Sequence, residues 1–431
     1  MAAARGDPGA GSAESGAFPR NGCSHEAPMR RRARVLSVIG DLGFGGAEHR
    51  LLALARNIDR ELFDHSVITI NQADPDREET CAMRRCFAES GVELKDLGEG
   101  PSGAEGGSPW SKGSRLARRV RKLSRVIAAL DVDVVDAHLE PAALVGTISA
   151  MLTGRPRAVT LYHPRPLVPK RFWMLAQQII LNNAGLVLTD SEVRARELQS
   201  AARLRAPEVR VIPNGIPPPE AARSRDEMRA ALALPEDPHI CVIGQIGALV
   251  EFKGQMVLVE AARSVLEKAP HAYFLIVGYS KHEPHYRRRL EARAAELGIS
   301  ERVKIVSYPG SIGDVWGLID IHAHASTFDS LPNAVIEGMS LGKPAVVTAV
   351  GGVPDAVEHG RSGLVVPPGD AGAFADALLE FLRRPEFARE CGEAALRRYM
   401  QQYRADLTAR RLERCFLDLL AADARRPRIE S

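Results

Sequence analysis

Short runs of β-branched and apolar residues alternate along the chain with longer segments of helical, charged periodicity. Six runs fall in the first half: RVLSVIG (34–40), HSVITI (65–70), VDVVDAH (132–138), RAVTLYH (157–163), LVLTDS (186–191) and VRVIPNG (209–215). Six follow in the second: HICVIGQI (239–246), AYFLIVG (272–278), RVKIVSY (302–308), IDIHAHAS (319–326), PAVVTAV (344–350) and SGLVVPP (362–368). Strands with so few polar positions, separated by helices, belong to parallel sheets covered on both faces. The pattern predicts an α/β chain of two doubly wound domains. Ligands of such sheets sit beyond the carboxyl ends of the strands, so the two domains are expected to face each other across a cleft.

The prolines of IPNGIPPPEAARSRD (212–226) favour extended backbone and end the first unit. The expected organisation is a disordered tail over 1–32, a first domain over 33–215 and a second over 216–399. A C-terminal helix and tail over 400–431 is expected to pack back on the first domain. The Gly-rich stretch 98–114 reads as a polar loop. In RLARRVRKLSR (115–125), Arg118, Arg121, Lys122 and Arg125 share one side of a helix. That side is either a solvated face or a contact for anionic lipid headgroups.

Composition narrows the classes. A chain of 431 residues is too long for one ordinary core. Its 57 basic and 54 acidic residues leave a net charge of +3, too balanced for a nucleic-acid coat protein. The most membrane-like stretch, 172–188, is broken by Gln177, Gln178, Asn182 and Asn183. The N-terminal stretch lacks an apolar secretion core. Six scattered cysteines, of which only Cys81 and Cys86 lie close together, read as free thiols in a reducing cytoplasm.

Candidate chemistry concentrates in HASTFDSLPNAVIEGMSLGKP (324–344), where Asp329 and Glu337 stand eight residues apart. Pro332 suits the first turn of a helix and Gly342 its C-terminal cap. The free N–H groups of that first turn can hold a phosphate. The carboxylates can accept hydrogen bonds from ribose hydroxyls, or can simply complement the helix dipole. GMSLGKP is not a phosphate loop, because only three residues separate Gly338 from Gly342 and Pro344 takes the Ser/Thr position. GQIGALVEFKGQ (244–255) lets the backbone approach a ligand and sets Lys253 at a strand's carboxyl end. Lys253 reads either as a partner for a diphosphate or as a solvated lysine. GDLGFGGAEHR (40–50) is a glycine-rich turn without dinucleotide spacing. His138 and His163 end first-domain strands and are expected to face the cleft, as packed, solvated or catalytic groups. His322 and His324 share a strand face and read as structural. Neither His282-Glu283-Pro284-His285 nor Asp131-Val132-Asp133 reads as a metal site.

Taken in order, several segments resemble the retaining, nucleotide-sugar-dependent glycosyltransferases of GT-B type (family 4-like, group 1). They are GGAE (45–48), TLYH ending at His163, LTDSEVRAREL (188–198), VRVIPNGI (209–216), GQIGALVEFKGQ and the block 329–370. The resemblance covers roughly residues 34–420. It implies a GT-B fold of two Rossmann-like domains and transfer of a sugar with retention. Glu337 would hold the ribose and Asp329 would sit near the donor sugar. The turn Leu331-Pro332-Asn333-Ala334 would cradle phosphate through the N–H groups of Asn333 and Ala334. Lys253 would bind the diphosphate and His163 would line the reacting centre. Gly45 and Gly46 would lie near donor phosphate or acceptor. Asp329 replaces the family's commoner Glu, and Gln245 stands where many members carry an Arg. The resemblance implies no metal and no cofactor, with a UDP-sugar as default donor and a GDP-sugar as the other. A saccharide or lipid-linked acceptor in polysaccharide, glycolipid or cell-envelope synthesis at the inner face of the membrane is expected. Two rival readings are a nucleotide-sugar epimerase on the same fold and a non-catalytic nucleotide-sugar-binding subunit.

Overall fold

The computed structural model describes residues 31–43, 45–72, 78–99, 109–162, 171–201, 208–279 and 285–425. The first sheet comprises β1 (Ala33–Ile39), β2 (Phe63–Asn71), β3 (Glu93–Glu99), β4 (Val134–His138), β5 (Arg157–Thr160), β6 (Leu186–Thr189) and β7 (Val209–Val211). Its order is β3-β2-β1-β4-β5-β6-β7. The second comprises β8 (Cys241–Ile246), β9 (Ala272–Val277), β10 (Val303–Val306), β11 (Ile321–His324), β12 (Ala345–Thr348) and β13 (Leu364–Val366). Its order is β10-β9-β8-β11-β12-β13. The strands pair in parallel throughout, with β1 registered on β4 through Ser37 opposite Asp136 and β8 on β11 through Gly244 opposite His322.

β3 was not expected, and six first-sheet strands become seven. An edge strand buries little, and in ELKDLGE Leu97 alone is buried among the residues whose burial is described, so the segment lacks the apolar run that marks its neighbours. The expected loop 98–114 is also shorter, since β3 reaches Glu99 and a helix begins at Pro109.

In each sheet the strand order reverses beside the first strand, between β1 and β4 and between β8 and β11. That reversal is where an open parallel sheet leaves a crevice for ligands. The core explains how the two crevices are held. One face of β1 buries Leu36 and Val38 against Leu123 and Ile127 of the helix Pro109–Ala129. The other buries Val35 with Leu412 and Phe416 from the last helix, Ala405–Ala424. Phe416 meets Phe63 edge-on at 6.2 Å between ring centres. The chain therefore passes from the first unit to the second near Pro213–Ile216 and returns near Tyr403–Arg404. The two crossings are tied together. The Ile216 N–H donates to Tyr403 O at 3.2 Å, the Tyr399 hydroxyl to Ile216 O at 2.8 Å and the Thr408 hydroxyl to Pro213 O at 3.0 Å. Gly215 is required there, because a Cβ would lie 2.3 Å from the Arg404 carbonyl oxygen. Among the described residues, no helix is long and apolar enough to cross a membrane.

Candidate active site

The second crevice is built from the loops after β8 and β11. After β8 the chain makes a short turn, Glu251–Lys253, closed by Gly254 with φ of 68°. Gly254 sits directly on the Ala325 carbonyl, where a Cβ would be 1.9 Å from the oxygen. This contact brings Lys253 beside the loop that follows β11. The Lys253 ammonium pairs with Asp329 Oδ2 at 2.6 Å. Ser326 donates to the same oxygen at 3.1 Å, and His324 Nε2 lies 3.3 Å from it. Burial alone would raise the Asp329 pKa, but the His324 and Lys253 contacts prevail and hold the carboxyl below its usual range.

Helix Asn333–Ser340 starts beside this pair. Its N-terminal cap is Pro332, and no side chain caps it. The N–H groups of Asn333 and Ala334 therefore have no partner within the helix. The Leu331 N–H is different: it donates to Asp190 Oδ2 at 3.2 Å, so Leu331 contributes a packed side chain rather than a free amide. Pro332, which has no N–H, sets the direction of the turn. Glu337 is half-buried on this helix, and the Trp316 indole donates to its Oε2 at 2.9 Å. Burial raises the Glu337 pKa, against the pull of that indole. Helix Asn333–Ser340 is followed by Gly342 with φ of 64°, in the left-handed conformation expected after a helix end.

Across the cleft, helix Gly46–Asn57 begins after β1. Gly45 caps it without a side-chain bond. A Cβ on Gly46 would lie 3.3 Å from Asn214 Nδ2 and 4.0 Å from Asn333 Oδ1, so the starts of the two helices face each other. Glu48 folds back over Gly45 at the first of these helix starts.

Several sequence-predicted residues occupy different surroundings. Gln245 is buried, and its side-chain amide donates to the Lys253 carbonyl at 2.7 Å. It thereby supports the turn that carries Lys253. Lys253 and Asp329, expected on separate parts of a ligand, hold each other. His138 does not face the cleft. It is fully buried, with Nε2 at 2.7 Å from Asp136 Oδ2, and Asp136 also accepts from Ser37 at 3.2 Å. His65 completes this row at 2.9 Å from Ser37, with its pKa lowered by burial to about 4. His322 is fully buried against Trp316, while His324 reaches Asp329. Asp131 and Asp133 are bridged by Arg31 at 3.0 and 2.8 Å. His163 and His282-Glu283-Pro284 lie outside the described residues. Sequence reasoning missed Asp190, Arg194, Trp316 and His324 as neighbours of the site. Only Asp190 carried a usable signal, as an acidic residue directly after an apolar strand.

A model of group 1 glycosyl transferases matches residues 224–398, and one of glycosyltransferase family 4 matches residues 44–219. The chain belongs to this glycosyltransferase family. Its relatives include a D-inositol 3-phosphate glycosyltransferase of Corynebacterium jeikeium, 30% identical over 51% of this chain and 54% of that protein. An alpha-D-kanosaminyltransferase of Streptomyces kanamyceticus is 28% identical over 66% of this chain and 77% of that protein. The chain thus spans about half the length of several curated relatives it matches. The glycosyltransferase fold is shared with Anabaena HepE crystallised with UDP, at a TM-score of 0.74, 22% identity and coverage of 89% of this chain and all of that one. It is shared also with sucrose-phosphate synthase of Thermosynechococcus elongatus, at a TM-score of 0.70, 20% identity and coverage of 90% of this chain and 100% of that one. These likenesses establish the GT-B fold.

Proposed function

We propose that the chain transfers a sugar from a nucleoside diphosphate sugar to an acceptor hydroxyl with retention of configuration. The observation that carries this reading is the uncapped start of helix Asn333–Ser340, flanked by Lys253 and opposite Gly46. Two N–H dipoles and an ammonium suit a diphosphate whose negative charge grows as its bond to the sugar breaks. Asp329 keeps Lys253 at the edge of that position, and the diphosphate competes with Asp329 for it. The open oxygen of Glu337 accepts from a ribose hydroxyl. In the transfer, the bond from the anomeric carbon to the diphosphate oxygen breaks and a bond to the acceptor oxygen forms on the same face. The acceptor proton passes to the departing phosphate.

A UDP-sugar is the first donor to try, since HepE was crystallised with UDP. The acceptor is a saccharide, free or lipid-linked. Exposed Arg118, Arg121 and Arg125 on helix Pro109–Ala129 support work at an anionic membrane surface.

The test incubates the full chain with UDP- and GDP-sugars and candidate acceptors. Transfer is expected with at least one pair, and Lys253→Ala and Glu337→Ala are each expected to lower kcat/KM by about a hundredfold or more. Unchanged transfer in both variants overturns the site. Conversion of donor without acceptor points instead to an epimerase, and binding without turnover to a non-catalytic subunit.

A further inference from the structure

Asp190 follows β6 in the first unit, yet both of its oxygens serve the second. Its side chain is almost wholly enclosed, with the residue 2% exposed. Oδ1 accepts from the Ser330 hydroxyl at 2.6 Å and Oδ2 from the Leu331 N–H at 3.2 Å. Four residues on, Arg194 donates to the Asp329 carbonyl at 3.0 Å, and its guanidinium stands 5.6 Å from the Phe328 ring centre. The Glu192 N–H donates to Asp355 at 3.1 Å. A Cβ on Gly352 would lie 2.5 Å from the Ser191 Cβ, so this junction has no slack. Residues 328–331, which carry Asp329 and lead into the Asn333 helix, are therefore gripped by one turn of the opposite unit.

We infer that Asp190 is a positioning residue for the donor diphosphate. By accepting from Ser330 and Leu331, it fixes the loop that aims the Asn333 and Ala334 N–H groups. The donor pocket is then complete only when the two units are docked. Removing the carboxylate orphans a buried N–H and a hydroxyl, and the loop must move to satisfy them elsewhere. The inference rests on the donor reading above and adds a residue that never touches the ligand.

The test measures UDP affinity by titration calorimetry and melting temperature without ligand, on the full chain. The variants are Asp190→Ala, Asp190→Asn, Ser330→Ala and Asp190→Ala with Ser330→Ala. Asp190→Ala is expected to weaken UDP about tenfold or more, Ser330→Ala less. Asp190→Asn is expected to recover part of the loss, since its carbonyl oxygen still accepts one bond. The double variant is expected to bind no worse than Asp190→Ala, because Ser330 acts through Asp190. A lower melting temperature with UDP affinity within twofold of wild type makes Asp190 a purely structural contact and overturns the inference. Full additivity of the two losses overturns it too. Should Asp190→Ala not fold, unchanged UDP affinity in both Asp190→Asn and Ser330→Ala overturns it equally. A wild-type chain that binds neither UDP nor GDP overturns the donor reading and this inference with it. Wild-type binding with unaltered variants overturns this inference alone.

Discussion

Glu337 has one oxygen held by the Trp316 indole at 2.9 Å, and the proposed donor reading gives the other to a ribose hydroxyl. The indole therefore sets the direction in which the carboxylate points. Trp316→Phe keeps most of the packing volume and removes only the donor. It is expected to weaken UDP about tenfold while leaving 2′,3′-dideoxyuridine diphosphate unaffected. Calorimetry with both ligands checks this, and equal losses would reduce Trp316 to a packing role. The sequence placed Lys253 after a strand and Glu337 inside the helix that follows Pro332, and the structure has both there. Trp316, His324 and Arg194 were not legible, because their contacts depend on partners brought together by the fold. Gln245, at a position where the resemblance expects an Arg, donates to the Lys253 carbonyl, a contact that depends on the turn after β8.

At the scale of elements, the turn Glu251–Lys253 and the loop after β11 act as one piece, joined where Gly254 touches the Ala325 carbonyl. Gly254 combines a left-handed backbone with a contact that no side chain fits. Gly254→Ala is expected to cost about 2–4 kcal/mol of stability and to displace Lys253 from Asp329. Chemical denaturation would read the first effect and UDP titration the second. Unchanged values in both would show that the turn adapts. The strands that were legible are those buried on both faces, such as β9, whose six residues are all buried. β3 escaped notice because an edge strand with charges on its open side resembles a loop. The start of helix Pro109–Ala129 is unmarked in the sequence, because Pro109 and the residues directly after it carry no apolar periodicity.

For the whole molecule, the last helix is part of the first unit's core although it follows the second unit in sequence. Phe416→Ala is expected to destabilise the protein by about 3–5 kcal/mol, since the residue is fully buried against Phe63 and Leu412. Denaturant unfolding checks the magnitude. UDP affinity well below the melting temperature should remain, because Phe416 packs beside Ala33 and Phe63 at the amino-terminal ends of the strands, whereas the cleft loops follow their carboxyl ends. The two-sheet architecture was legible from twelve apolar runs and the proline-rich boundary. The docking of the units was not, since the Asp190–Ser330 contact joins residues 140 positions apart.

The paired crossings at Pro213–Ile216 and Tyr403–Thr408 have a mechanical meaning. A body joined to another by one strand can swing and twist freely, whereas two strands bonded side by side define an axle. Rotation about that axle breaks only contacts across the cleft, such as Asp190–Ser330, whereas torsion must also break the bonds between the strands. The halves are thus restricted to approaching each other along one arc, and a cut in either strand alone would leave them joined.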